Sequence, residues 1–265
     1  MNSLHSKLSS FSFLQSTNHP QPFLWFTPSS SLLSENDECI HKGLLITRSK
    51  KLITHENYYR LTLTHLLLYD STHIKLALPL RNTHLELSLN LGFTLSEYNH
   101  CYTFYCLSPD SYNTWISKLR RVCVSLDFDA NYYLKELIGK GSFSKVYLGV
   151  RYKDKEELAI KIIKKKKIIK SIESRKALIK EIEIMRKINH PRIVKLHEVY
   201  ENDTSIFLVM EYLRGGELLQ YMRSKGVLTE KNALVVIKST LEALEYCHRL
   251  QIVHRDLKLE NLILT

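Results

Sequence analysis

The stretch HRDLKLEN, residues 254–261, decides how the rest of this 265-residue sequence is read. It places a carboxylate (Asp256), an ammonium (Lys258) and a carboxamide (Asn261) inside one short segment. At this spacing a tight loop lets the carboxylate meet a hydroxyl while the amide oxygen meets a metal ion. Upstream, Leu234, Ile237, Leu241 and Leu244 recur at helical spacing, so a long helix with an apolar stripe delivers the chain to that loop. Downstream, LILT (262–265) reads as the start of a strand.

Moving toward the N-terminus, FLVMEYLRGGELLQYM (207–222) reads as a buried strand, a short connector and a helix. Leu178, Ile182 and Met185 mark an earlier helix that carries Glu181, with Glu183 as a rival carboxylate. LAIK (158–161) sets Lys161 on a short apolar strand, where its ammonium can reach phosphate oxygens and needs a carboxylate to hold it. About twenty residues before it comes Gly139-x-Gly141-x-x-Ser144-x-Val146. Two glycines let the backbone approach phosphates with no Cβ in the way, although serine stands where a third glycine would complete the pattern. The run KKKK (164–167) falls between strand and helix and is expected to be a solvated loop.

These five elements, in this order, resemble the N-terminal half of a eukaryotic protein kinase domain over residues 132–265. The resemblance implies ATP and Mg²⁺ as cofactors and Ser/Thr-bearing proteins as substrates. It also implies roles for individual residues. Gly139, Gly141 and Ser144 would cover the phosphates, with Ile138 and Val146 above the adenine, Ala159 lining the pocket and Ile263 beneath the ring. Met210 would be the gatekeeper, backbone groups of Glu211 and Leu213 would bond the adenine, and Glu217 would meet the ribose or a basic residue of a peptide substrate. Lys161 would bind phosphates and pair with Glu181. Asp256 would orient the substrate hydroxyl and accept its proton, Lys258 would contact the γ-phosphate, and Asn261 would ligate Mg²⁺. Lys258 is the serine/threonine form of this loop. EIEIMRKINHPRIVKLHEV (181–199) and GGELLQYM (215–222) look most like the calcium/calmodulin-dependent and AGC-type branches.

Such kinases carry Asp-Phe-Gly roughly a dozen residues after the Asn. This sequence extends four residues past Asn261. The expectation is therefore an incomplete kinase domain, inactive alone. The alternatives are a catalytically dead ATP-binding adaptor and a phosphoinositide-dependent membrane-recruitment module.

N-terminal to the kinase-like part the composition changes twice. Residues 1–37 are rich in Ser with almost no charge and read as a disordered tail, a transit peptide being the rival. From residue 40 the pattern has period two: LELSLNL (85–91) alternates without a fault, and YRLTLTHLLLYD (59–70), IKLALPL (74–80) and CYTFYCL (101–107) share its β-rich content. Ser108-Pro109-Asp110 then looks like a helix start, and Trp115, Leu119, Val122 and Leu126 follow at helical spacing. Six or seven strands and a terminal helix bearing Trp resemble a pleckstrin-homology domain over 38–128. That likeness implies a lipid-headgroup site built from Lys42, Arg48, Lys50, Lys51 and Arg60, with Tyr58 where phosphoinositide binders usually carry a second base. A solvated basic loop explains the same residues equally well.

The expected architecture is thus α+β: a bent sheet capped by a C-terminal helix, then a kinase N-lobe and a partial helical C-lobe, with no long linker between them. The formal charge of +11 favours acidic partners, and no nucleic acid is expected among them. Five cysteines without a Cys-x-x-Cys pair and twelve scattered histidines argue against a zinc site or disulfide framework. Reduced thiols imply a cytoplasmic protein, peripheral to a membrane if the first module meets lipid.

Overall fold

The computed structural model describes residues 38–265 except 49–53, 71–72, 81–82, 98–99, 142–143 and 169–170. The tail at 1–37 and the candidate bases Lys50 and Lys51 lie outside the described residues.

The period-two segments form seven strands: β1 (Cys39–Arg48), β2 (Thr54–Thr62), β3 (His65–Asp70), β4 (His73–Pro79), β5 (His84–Ser88), β6 (Gly92–Glu97) and β7 (His100–Tyr105). They pair antiparallel in the order β4-β3-β2-β1-β7-β6-β5. One face of each strand fills a core of Leu45, Tyr59, Leu61, Phe93 and Phe104. Helix α1 (Pro109–Leu119) follows, with the Ser108 hydroxyl accepting from the Ser111 N–H at 3.2 Å. It drives Trp115, Ile116 and Leu119 into the same core, and Trp115 has no exposed surface.

Two sequence expectations are corrected here. The alternation of LELSLNL outruns its strand: β5 stops at Ser88, Leu89 is 88% exposed, and Asn90 and Leu91 take left-handed φ values of 60° and 57° in the turn to β6. Alternation in sequence cannot register a reversal in backbone hand. Likewise the helix ends at Arg120, so Val122 is buried from a turn and Leu126 is 40% exposed.

Strand β8 (Val124–Ser125) and the short helix α2 (Phe128–Asn131) lead to β9 (Tyr132–Lys140), β10 (Ser144–Arg151) and β11 (Glu157–Lys164). Helices α3 (Lys165–Ile168) and α4 (Ile172–Lys187) come next, then β12 (Leu196–Glu201) and β13 (Ser205–Glu211). The remaining elements are β14 (Gly216–Glu217), α5 (Leu218–Lys225), α6 (Glu230–Arg249) and β15 (Ile263–Leu264). The second set of strands has the order β12-β13-β11-β10-β9, all antiparallel. Helix α4 packs Leu178 and Ile182 against Ile163, Val199 and Leu208 of this sheet.

The absence of a long linker has a structural counterpart. Two-residue β8 runs parallel to both β5 and β12, and it fuses the two sets of strands into one thirteen-stranded sheet. A buried ion cluster seals the seam. Glu201 of β12 lies 2.9 Å from His84 of β5 and 2.6 Å from Lys165 of α3, with the three side chains at most 8% exposed. Burial would raise the Glu201 carboxyl pKa, but hydrogen bonds from His84 and Lys165 outweigh it and hold the pKa below its usual value. The run 164–167 is therefore not the solvated loop expected of it: Lys164 ends β11, and Lys165 is a buried partner in the first turn of α3.

Candidate active site

The site is built on the hairpin β9–β10, the adjoining β11 and β13, and the segments around α5 and α6. Registration does most of the positioning. Gly139 faces Val146 across β9–β10, Val146 faces Lys161 across β10–β11, and Lys161 faces Leu208 across β11–β13. Ala159 faces Met210 in the same ladder, so Val146, Ala159, Lys161 and Met210 come together on neighbouring strands. The turn at the hairpin tip is closed by the Gly141 N–H donating to the Ser144 carbonyl at 2.9 Å. Ile138, at 39% exposure, stands open to solvent before it.

Helix α4 supplies the carboxylate. Its Ser171 cap accepts from the Ser174 N–H at 3.3 Å, and its apolar face is pinned by Ile182, which has no exposed surface. This turns Glu181 outward to Lys161: the Lys161 ammonium donates to Glu181 Oε1 at 2.9 Å. Glu181, rather than Glu183, is the carboxylate at the lysine.

Beyond Glu211, the last residue of β13, a connector of residues 212–215 leads to β14. The Glu211 N–H is committed to the Lys195 carbonyl at 2.9 Å, so only its carbonyl oxygen remains for a ligand. Gly215 and Gly216 then allow a close crossing with the end of the catalytic segment. A Cβ on Gly215 would collide with the Leu264 backbone, and Gly216 has a φ of +72°. In this crossing β14 pairs with β15, which sets Glu217 opposite Ile263 beneath the connector. Gly215 N–H donates to the Leu264 carbonyl at 3.0 Å and Leu218 N–H to the Leu262 carbonyl at 2.8 Å.

HRDLKLEN folds into a self-bonded loop. Asn261 Nδ2 donates to the Asp256 carbonyl at 2.7 Å and to its Oδ2 at 3.1 Å, while the Lys258 ammonium lies 2.9 Å from the same Oδ2. These two donors, Lys258 first and Asn261 second, hold the Asp256 carboxyl below the usual carboxylate range, and Asp256 in turn raises the Lys258 pKa. A carboxylate kept ionised can orient a hydroxyl and take its proton. With its Nδ2 used twice, Asn261 keeps Oδ1 as the atom free to face a cation. Arg255 adopts a left-handed φ of 64°, which turns the backbone at the loop.

Helix α6 connects this loop to the rest. Tyr246 accepts from the Asn189 N–H at 3.1 Å and its ring stacks on His190 at 4.9 Å. The apolar stripe anticipated on α6 is present and faces outward, with Leu234, Ile237 and Leu241 between 56% and 65% exposed. Thus the fold forms two clusters, Lys161–Glu181 on β11 and α4 and Asp256–Lys258–Asn261 in the segment leading to β15. Among the described residues, no hydrogen bond or ion pair joins the two clusters. Nor do three or more His, Cys, Asp or Glu side chains gather as a metal site among them.

A glycine-rich hairpin over a strand lysine, a helix-borne carboxylate on that lysine and an Asp/Lys/Asn loop define a phosphoryl-transfer scaffold. A protein kinase domain model matches residues 132–265, half of the chain, and the chain belongs to that family. It is 46% identical over 134 residues to a probable myosin light chain kinase of Dictyostelium discoideum, covering 51% of this chain and 41% of that protein. It is 44% identical over 133 residues to Myosin light chain kinase A of the same organism, covering 50% of this chain and 44% of the relative. The chain thus spans less than half the length of these relatives.

The residues that the sequence reading missed lie at the seam: His84, Glu201 and Arg186, with Lys165 misread as solvated. In sequence the one hint is for Glu201, which stands two residues after apolar Val199 in LHEVYE (196–201); the structure buries Val199, Tyr200 and Glu201 alike.

Proposed function

We propose that residues 132–265 grip ATP between the β9–β10 hairpin and the connector, for phosphorylation of serine or threonine in protein substrates. The observation that carries this reading is the 2.9 Å Lys161–Glu181 ion pair, formed between a strand and a helix under a glycine-rich hairpin. In this reading the adenine lies among Ile138, Val146, Ala159, Met210 and Ile263 and bonds backbone groups of Glu211 and Leu213, and the ribose meets Glu217. Gly139, Gly141 and Ser144 cover the phosphates and Lys161 neutralises them. Asp256 receives the substrate proton, and Lys258 is released to the γ-phosphate as the nucleotide enters. The donor set suits a cation that arrives with nucleotide: Asn261 Oδ1 would hold Mg²⁺, whose charge would offset that of the phosphates. The relatives are named as myosin light chain kinases, which supports a protein as the substrate class without identifying that protein.

The polypeptide 1–265 contains no Asp-Phe-Gly. It is therefore expected to bind ATP without turning it over, as a catalytically silent adaptor would, whereas a longer polypeptide bearing that motif would transfer phosphate. Thermal unfolding of 1–265 with and without ATP and MgCl₂ tests the binding. Nucleotide should raise the Tm, and Lys161→Ala should remove the rise; a rise that survives the substitution would sink the assignment.

A second reading concerns the first module. Exposed Lys42 and Arg60 face each other across β1–β2, a pairing suited to a phosphoinositide headgroup and to peripheral membrane attachment of a cytoplasmic protein. Against it, the Arg60 guanidinium sits 5.4 Å over the Tyr69 ring and that of Arg48 4.5 Å over Tyr105. Flotation of 1–265 on phosphoinositide vesicles decides this reading, and no enrichment over neutral vesicles rules it out.

A further inference from the structure

The seam between the two sets of strands is tied to both members of the Lys161–Glu181 pair. Consecutive residues of one short segment serve different cores, as alternation in a strand requires. Cys123 is buried with Trp115 and Leu119 in the first core, and Val124 is buried with Leu178 and Ile182 of α4 in the second. Val124 is fixed from the first module by its N–H bond to the Thr83 carbonyl, 2.9 Å, and it registers with His84 on one side and Val199 on the other.

Each member of the pair is followed in sequence by a basic residue that docks on this seam. Four residues after Lys161, Lys165 enters the buried cluster with Glu201 and His84. Five residues after Glu181, the Arg186 guanidinium donates to the Cys123 carbonyl at 2.6 Å. At ~1.5 Å of rise per residue, that contact lies about 7.5 Å along the helix from Glu181. A charge-assisted bond to a carbonyl held by the first module fixes both the height and the rotation of α4. Ile182, beside Glu181 and fully buried against Val124, fixes them from the apolar side.

We propose that Arg186 is a positioning residue for Glu181, and that the first module sets the grip of the kinase lobe on nucleotide through the segment Cys123–Ser125. The inference rests on the nucleotide-binding reading above. A shift of the first module relative to β12 moves the Cys123 carbonyl, and with it the turn of α4 that aims Glu181 at Lys161.

Fluorescence titration of the full 265-residue chain with a fluorescent ATP analogue and MgCl₂ tests this, with circular dichroism confirming the fold of each variant. Arg186→Met keeps the aliphatic stem packed and removes the donor; Arg186→Lys restores a donor. Arg186→Met is expected to weaken binding roughly fivefold, within the range of mutations that alter coupling between sites. Arg186→Lys should recover most of that loss. Arg186→Met combined with Glu181→Ala should bind no more weakly than Glu181→Ala alone, because both act through one ion pair. A purely structural role would lower the Tm of Arg186→Met and leave its affinity at the wild-type value, which overturns the proposal. So would losses that multiply in the double variant. If Lys161→Ala and Glu181→Ala themselves bind as wild type does, the nucleotide-binding reading falls and takes this one with it. If they weaken binding and Arg186→Met does not, only the positioning role falls.

Discussion

Replacing Glu201 with Ala tests whether the two sets of strands fold as one unit. Glu201 is 1% exposed and holds Lys165, 6% exposed, at 2.6 Å. Removing it leaves a buried ammonium without its carboxylate, and breaking such a pair costs about 3–5 kcal/mol. For a chain of this size each kcal/mol lowers the Tm by roughly 2–4 °C, so Glu201→Ala should fall on the order of 10 °C. Removing both charges is a different perturbation. Glu201→Leu with Lys165→Met replaces ions by apolar groups of similar bulk and should recover most of the loss. The pH dependence has a definite sign. The folded pKa of Glu201 is lowered, so its contribution is fully present above the unfolded value and is lost as pH falls through the folded one. The gap in Tm between wild type and Glu201→Ala should therefore be widest near neutrality and close in acid, below the ordinary glutamate range. The assay is thermal unfolding by circular dichroism with tryptophan fluorescence as a second probe. Trp115 reports the first core, so coincident transitions mean one unit. A shift under about 2 °C, or a double variant less stable than Glu201→Ala, would refute the reasoning.

Two further substitutions probe other parts of the account. Trp115→Ala empties the largest fully buried side chain of the first core and should cost about 3–5 kcal/mol, read as a lower unfolding midpoint. Gly215→Ala forces a Cβ against the Leu264 backbone and should unpair β14 from β15, detected as faster amide exchange at residues 262–265 while strands β9–β11 keep their protection.

The parts of this molecule that were legible in sequence are those whose chemistry sits in one short stretch. HRDLKLEN, the glycine-rich hairpin and the strand lysine each demand fixed residue types at fixed spacing, and the strands of the first module announce themselves by alternation. Helix α4 was legible from its apolar stripe, but the stripe did not separate Glu181 from Glu183; that choice came from the kinase resemblance. The seam was not, because it assembles His84, Cys123, Lys165, Arg186 and Glu201 from five separate elements or turns. Each looks alone like an ordinary surface charge or a packing thiol. Lys165 was misread for this reason: within a run of four lysines nothing local distinguishes the one that turns inward. The ends of β5 and α1 were overrun because hydrophobic spacing persists into turns, where backbone conformation and not periodicity decides the path.

Calorimetric titration of the 265-residue chain with ATP and MgCl₂ tests the central claim most directly. The account predicts saturable binding at one site, weakened at least tenfold by Lys161→Ala, since that change removes the cation facing the phosphates. Absence of binding, or binding of equal strength in Lys161→Ala, would contradict it.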